Sequence, residues 1–170
     1  MGLIFDDLVW TSYSQLWLLS EGPEQGDPTD LFRGQVNGLC GTAQAGSAFL
    51  VTGTHTGLVP VRVMILTAPP PSGGWEEIVE ATFTPVGRTA GLYGWAADAS
   101  VLFELPAPTY RLRYSASKMD AGKAQDLATV EQPAPDRYQI DLWPAPPEPD
   151  SILRRTSDNA GYWHDHGFQA

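Results

Sequence analysis

The chain has 170 residues, a formal net charge of -10 at pH 7 and 42% hydrophobic residues. This length and hydrophobicity suit one globular domain and exclude an intrinsically disordered chain. No apolar run reaches the ~20 residues that a membrane-spanning helix needs. The first ten residues also lack the Lys and Arg of a secretory signal peptide. We therefore expect a cytoplasmic protein, and the single Cys40 is typical of a reducing compartment.

Acidic residues are concentrated near the N-terminus. Residues 1–32 contain no Lys or Arg and six carboxylates, which are Asp6, Asp7, Glu21, Glu24, Asp27 and Asp30. A field of this sign repels phosphates and anionic lipid and attracts basic proteins. It favours a basic protein partner and disfavours direct binding to nucleic acid or membrane, although acidity also serves solubility alone.

Alternating apolar and polar residues predict strands along most of the chain. The first is a long strand over residues 8–18, bent near residues 12–14. Further strands are expected over residues 48–52, 61–65, 78–84, 101–105, 110–114 and 138–142. Turns rich in Gly and Pro separate them. The pattern predicts an all-β fold, an antiparallel β-sandwich of about seven to nine strands.

The last part of the chain breaks this pattern. We assign residues 1–143 to the sandwich. Residues 144–170 are assigned to a Pro-rich connector and a C-terminal helix or tail that packs on the same domain. Asp150 is a candidate N-cap for a helix over residues 150–163, and residues 35–47 have a weaker helical composition. The end from His164 onward is expected to be frayed.

Candidate catalytic and metal-binding residues are few. The run from His164 to His166 could ligate a metal, but a solvated tail is the simpler interpretation because no second cluster completes a site. Cys40 has no neighbouring His and is typical of a small buried side chain. No phosphate-binding loop or nucleophile elbow occurs in the sequence. We expect a protein without catalytic residues, metal or cofactor, and a dispersed active site is the alternative.

Tryptophans and a second group of carboxylates are candidates for a binding surface. Glu76 and Glu77 point to opposite faces of a strand, which favours a solvated acidic edge. Trp75 follows a Gly-Gly turn and is expected to be exposed, whereas Trp143 either packs under the Pro-rich connector or is exposed. Exposed Trp beside carboxylates suits a basic protein. Exposed Trp also stacks on sugars, so a carbohydrate-binding sandwich is a second possibility.

Three segments share a pattern with a known family. They are WTSYSQL (10–16), VLFELP (101–106) followed by YRL (110–112), and RYQIDL (137–142). In this order they resemble the competence protein J family, whose members are small bacterial inhibitors of a DNA-entry nuclease. Residues 119–122 and the extension after Leu142 depart from that family. The resemblance implies an inhibitor of a nuclease, of the competence type or of the toxin-immunity type.

Such an inhibitor would act by steric and electrostatic blockade, because carboxylates can occupy a cleft that binds phosphates. The contact residues that we nominate on physical grounds are exposed acids and aromatics. They are Glu21, Glu24, Asp27 and Asp30 on the first long loop, and Trp75, Glu76, Glu77 and Trp143 elsewhere.

Overall fold

The computed structural model describes residues 2–21, 25–94 and 99–168. Eleven strands occur in these residues. In chain order they are β1 (Gly2–Thr11), β2 (Gln15–Ser20), β3 (Cys40–Gly41), β4 (Ser47–Val51), β5 (Gly57–Ile65), β6 (Glu77–Phe83), β7 (Thr89–Tyr93), β8 (Ala99–Glu104), β9 (Tyr110–Ser117), β10 (Arg137–Pro144) and β11 (Ser151–Arg154). Three short helices accompany them, α1 (Pro28–Leu31), α2 (Met119–Gln125) and α3 (Asp158–His166).

The strands form two sheets, which confirms the all-β sandwich prediction. One sheet has six strands in the order β1-β5-β10-β9-β6-β11, and the other has five in the order β3-β4-β2-β7-β8. All pairings are antiparallel except that of β10 with β5, which is parallel. The count exceeds the expected seven to nine, and the two-residue β3 and the four-residue β11 are short strands that alternation alone does not reveal.

Alternating burial explains why these segments are strands. In β5 the residues Val59, Val61 and Val63 are buried, and the residues between them are exposed or half-buried. Side chains of successive residues point to opposite faces of a strand, so one face enters the core. Strand β9 is buried throughout because its outer face is covered as well.

The predicted long strand over residues 8–18 is two strands, and the bend expected near residues 12–14 is a full turn. The chain turns at Tyr13 and Ser14, whose φ angles are 54° and 57°. A positive φ is uncommon for residues other than Gly, so the sequence indicates the position of the bend and not its sharpness. As a result β1 joins the six-stranded sheet and β2 the five-stranded sheet.

The predicted helix over residues 150–163 is wrong in its first half. Ser151–Arg154 is strand β11, which pairs with β6, and α3 begins after Ser157, whose hydroxyl accepts from the Ala160 N–H at 3.1 Å. Asp150 does not cap a helix. Its carboxylate accepts from the backbone N–H groups of Val36 and Asn37 at 2.9 and 2.8 Å. Residues 35–47 contain β3 and no helix.

The C-terminal residues through Phe168 are packed against the five-stranded sheet. The Phe168 ring stacks on Phe32 and on Trp163, with ring centroids 5.1 Å apart in each pair. It also meets the edge of Phe49 of β4 at 5.0 Å. Aromatic pairs of this geometry add to the burial of apolar area. The expected frayed end is therefore wrong for residues 164–168.

No helix in the described parts of the chain is both long and apolar enough to cross a bilayer.

Candidate functional site

The acidic loop, residues 21–30, places charge on the surface. Glu21 and Asp27 are exposed, Asp30 is half-buried, and Glu24 lies outside the described residues. The Glu21 carboxylate accepts from the Thr89 N–H at 3.1 Å, and Asp27 caps α1 through the Thr29 N–H at 2.8 Å. Asp30 forms an ion pair with Arg33. The carboxylates of Glu21 and Asp27 thus accept backbone hydrogen bonds and still face solvent.

Glu76 and Glu77 are not a solvated acidic edge. Glu76 is half-buried and its carboxylate accepts from the Lys118 N–H at 2.7 Å. Glu77 is fully buried, and its carboxylate accepts from the N–H groups of Ser157 and Thr156 at 2.6 and 3.1 Å. Burial raises the pKa of Glu77, although the two N–H donors act against that rise. Glu77 fastens β6 to the start of α3 and cannot touch a partner in this conformation.

Neither nominated tryptophan is exposed. Trp75 is half-buried, and the Arg137 guanidinium lies over its ring, 4.7 Å from the centroid. Trp143 is only 6% exposed, with the Arg113 guanidinium 5.6 Å from its ring centroid. Cation–π contacts of this kind occupy a ring face that a sugar would need. The expected exposure is thus wrong for Trp75, whereas Trp143 adopts the buried alternative of the two that were predicted for it. Neither ring is free to stack on a sugar as the carbohydrate interpretation requires.

Buried charges on the outer face of the six-stranded sheet explain why Trp143 is covered. Glu80 of β6 accepts from Nε of Arg111 at 3.1 Å and from Nε of Arg113 at 2.8 Å. Both guanidinium groups then donate to carbonyl groups of Pro-rich segments, Arg113 to Pro70 at 2.7 Å and Arg111 to Glu148 at 3.1 Å. The two Pro-rich segments therefore cover the outer face of β6, β9 and β10.

The Pro-rich segments leave an apolar area exposed at the β1 and β5 side of the sheet. Sequence reasoning did not predict this area. Leu8 and Trp10 of β1 pair with Pro60 and Leu58 of β5, and Leu8, Trp10 and Leu58 are 49%, 49% and 42% exposed. We call these four residues the β1–β5 corner. Among the described tryptophans, Trp10 alone is exposed. The alternation of Leu8 and Trp10 with Val9 and Thr11 was visible in the sequence, but it does not tell which face is inward.

Ion pairs and polar groups border the corner. Asp6 and Arg62, the next pair along β1 and β5, form a surface ion pair of 2.9 Å. Arg137 and Gln139 of β10 line a groove with them. An exposed apolar area with a polar rim is typical of a protein interaction site.

The histidines and the cysteine do not meet at one place. His164 is buried, and its Nδ1 accepts from the Gly38 N–H at 2.9 Å, so the expected solvated tail is wrong there. Asp165 pairs with Arg155 at 2.5 Å. Within the described residues no three His, Cys, Asp or Glu side chains are grouped to hold a metal ion. Cys40 is buried as predicted, and burial raises the pKa of its thiol.

Two solved structures share this fold at low sequence identity. One is the crystal structure of ComJ, inhibitor of the DNA degrading activity of NucA, from Bacillus subtilis. Its TM-score is 0.58 at 16% identity, with 85% of this chain and 99% of that chain covered. The other is Crocagin biosynthetic gene J, with a TM-score of 0.57 at 15% identity, covering 86% of this chain and 99% of that one.

No family model matches the sequence, and no curated protein matches it significantly. The likeness to ComJ is a likeness of fold, and it confirms the distant resemblance that three sequence segments predicted.

Proposed function

We propose that this protein binds a nuclease and inhibits it by covering the surface that takes up DNA. The observation that carries the proposal is the shared fold, because the ComJ structure is matched over 99% of its length and ComJ inhibits the DNA degrading activity of NucA. A fold alone does not specify a function, so the surface of this chain has to suit the same task.

Charge supports the proposal. A nuclease has to attract DNA phosphates and therefore presents basic groups around its cleft. The net charge of -10 and the exposed carboxylates of Glu21 and Asp27 attract such a cleft at long range. Electrostatic attraction of this kind raises the rate of association, and its effect falls with ionic strength. The inhibitor would need no cofactor and would act in the cytoplasm.

The acidic loop is the proposed first contact. Glu21, Asp27 and Asp30 lie at its two ends, and Glu24 lies between them in the sequence. The buried Glu77 and Trp143 are left out of this surface. The half-buried Trp75 lines the groove with Asp6 and Arg62 and is left out as well. Because a rim charge acts mainly on the association rate, these carboxylates should govern how fast the complex forms.

Co-expression with the product of the neighbouring gene tests the proposal, and so does affinity capture from the source cell. Recovery of a basic nuclease that no longer cleaves DNA in the complex is the expected result. Absence of any complex would contradict the proposal. If the complex forms equally fast at low and high salt, electrostatic attraction is not part of the mechanism.

A further inference from the structure

Strand β1 has one side that no other strand occupies. On one side the backbone of β1 pairs with β5 from Gly2 to Thr11. In the described residues no strand pairs with the backbone on its other side, so β1 is an edge of the six-stranded sheet. The end of this edge near Trp10 lies against Gly94, where an added Cβ would be 2.1 Å from the Trp10 carbonyl oxygen. Because the register with β5 is irregular between Leu3 and Phe5, the regular and open part of the edge in the described residues is Phe5 to Leu8.

An open edge carries unpaired backbone N–H and C=O groups. Natural proteins shield such edges with Pro, with bulges or with short strands, but β1 is ten residues long and has no Pro. Its register with β5 is continuous from Phe5 to Thr11, and the irregularity lies between Leu3 and Phe5. The Leu8 N–H donates to the carboxylate of Asp7 at 2.7 Å, which protects one backbone group by a contact that an incoming strand can replace.

The two faces of β1 carry exposed apolar side chains and carboxylates beside this edge. The β1–β5 corner lies on the outer face, with Leu8 and Trp10 about half exposed. Asp6 points to that same face, and Asp7 is exposed on the opposite face. Asp6 already shares its charge with Arg62. Among the described residues no Lys or Arg forms an ion pair with Asp7.

We infer that the β1 edge and the β1–β5 corner bind an extended segment of a partner protein in which basic residues alternate with apolar ones. The segment adds a strand beside Phe5 to Leu8. Its apolar side chains cover Leu8 and Trp10 on the outer face, and its basic side chains lie on the opposite face beside Asp7. Backbone pairing of this kind supplies affinity, and the alternating side chains supply specificity. The inference rests on the proposed function in so far as the partner is the nuclease.

A second copy of this chain fits the edge less well. Pairing of two β1 strands about an axis near Asp6 and Asp7 would bring the carboxylates of both copies opposite each other, which is destabilising. Each copy also carries a net charge of -10, so the two repel at long range. A basic segment turns both of these repulsions into attractions.

Synthetic peptides test the inference on the intact protein. The probe is an acetylated peptide of alternating Lys and Val. One comparison peptide alternates Glu and Val, and another carries N-methyl groups on alternate amides, which removes the backbone hydrogen bonds on one side. Titration is followed by the amide NMR shifts of the protein. We expect the Lys peptide to shift the β1 amides and to bind at least about tenfold more tightly than either comparison peptide.

Two variants locate the contact. Trp10→Ala should weaken binding of the Lys peptide about tenfold, whereas Leu102→Ala should not, because Leu102 is 61% exposed on the other sheet in edge strand β8. Equal affinity for the Glu peptide, equal affinity for the methylated peptide, or shifts confined to residues outside β1 and β5 would overturn the inference. Dimerisation of the free protein through β1 in sedimentation experiments would overturn it too, in favour of a second copy.

The same variants separate this inference from the proposed function. If the nuclease is inhibited equally well by wild type and by Trp10→Ala, the inference fails and the proposed function stands. If no nuclease is inhibited but the Lys peptide binds at β1, the proposed function fails and the inference stands.

Discussion

The backbone N–H of Gly38 donates a hydrogen bond of 2.9 Å to Nδ1 of His164, which lies 126 residues later in the chain. The contact is buried, and it joins the loop after α1 to helix α3. Asp150 makes a parallel connection, because its carboxylate accepts from the N–H groups of Val36 and Asn37. The C-terminal segment thereby connects the two sheets, because its strand β11 pairs with β6 of the six-stranded sheet.

Titration of His164 should make stability depend on pH. Burial, and then the nearby positive charge of Arg155, lower the pKa of His164 from 6.5 to about 4. The contribution of neutral His164 to the free energy of unfolding is complete above pH 6.5. It is lost as the pH falls toward 4, because the His164 side chain of the unfolded chain binds a proton at a higher pH than that of the folded chain. The loss is roughly 3 kcal/mol at about 1.36 kcal/mol per pKa unit.

The variant His164→Asn checks this, because Asn can still accept from the Gly38 N–H and does not titrate. Urea unfolding at pH 7 and pH 4 should show a smaller loss of stability in the variant by roughly 3 kcal/mol. Parallel pH profiles for the two proteins would contradict this account of His164.

Substitution of Gly38 should disrupt the same junction. A Cβ at this position would lie 1.9 Å from the carbonyl oxygen of Trp163, a backbone atom that cannot move without shifting α3. Gly38→Ala should lower the free energy of unfolding by about 3 kcal/mol. Gly74→Ala is the matched control, since a Cβ there meets nothing within 4 Å. Chemical denaturation measures both, and equal stability of the two variants would argue against tight packing at Gly38.

Neutralising Glu80 should leave two buried cations without their partner. Arg111 and Arg113 are 5% and 6% exposed, and both donate to the Glu80 carboxylate. Glu80→Gln should cost about 3 kcal/mol of stability, as expected when one member of a buried ion pair is removed. The control Asp6→Asn removes a surface pair with Arg62 and should cost less than about 1 kcal/mol. Comparable effects of the two substitutions would show that the Glu80 network is not effectively buried.

Charge on the acidic loop should control association with the nuclease. The triple variant Glu21→Gln, Asp27→Asn and Asp30→Asn removes three charges but keeps side-chain oxygens that can accept the same N–H groups. It should slow association about tenfold at low salt. The matched control removes three exposed carboxylates elsewhere, with Asp126→Asn, Glu131→Gln and Glu148→Gln. Stopped-flow measurements give the association rate of each triple variant. Equal slowing in the two variants would mean that only the net charge matters and not its place on the loop.

Local alternation predicted the strands whose inner and outer faces differ. Val61 to Ile65 and Tyr138 to Leu142 have this pattern, and both are strands of the six-stranded sheet. Sequence reasoning failed where distant segments meet. Glu77 is buried because it contacts Ser157, which lies 80 residues later in the chain. The residues next to Glu77 in the sequence do not indicate this contact. The exposure of Trp10 was missed for the same reason, since the Pro-rich segments that cover the outer face of β6, β9 and β10 leave Leu58 of β5 and Trp10 of β1 exposed.

The candidate surface was predicted in part. The exposure of Glu21 and Asp27 follows from a polar loop rich in turn residues, and the structure places both at the surface. Trp75 was expected to be exposed because it follows a Gly-Gly turn, but Arg137 of a neighbouring segment lies over it. Contacts between side chains that are far apart in sequence depend on the register of whole strands, which composition does not specify.

The central claim is that this protein inhibits a nuclease by binding it. The most direct measurement is a titration of the purified protein into the nuclease recovered with it by co-expression or affinity capture, with cleavage of duplex DNA as the readout. We expect cleavage to fall linearly and to stop when the two proteins are equimolar. Full cleavage in the presence of excess protein, at low salt, would contradict the claim.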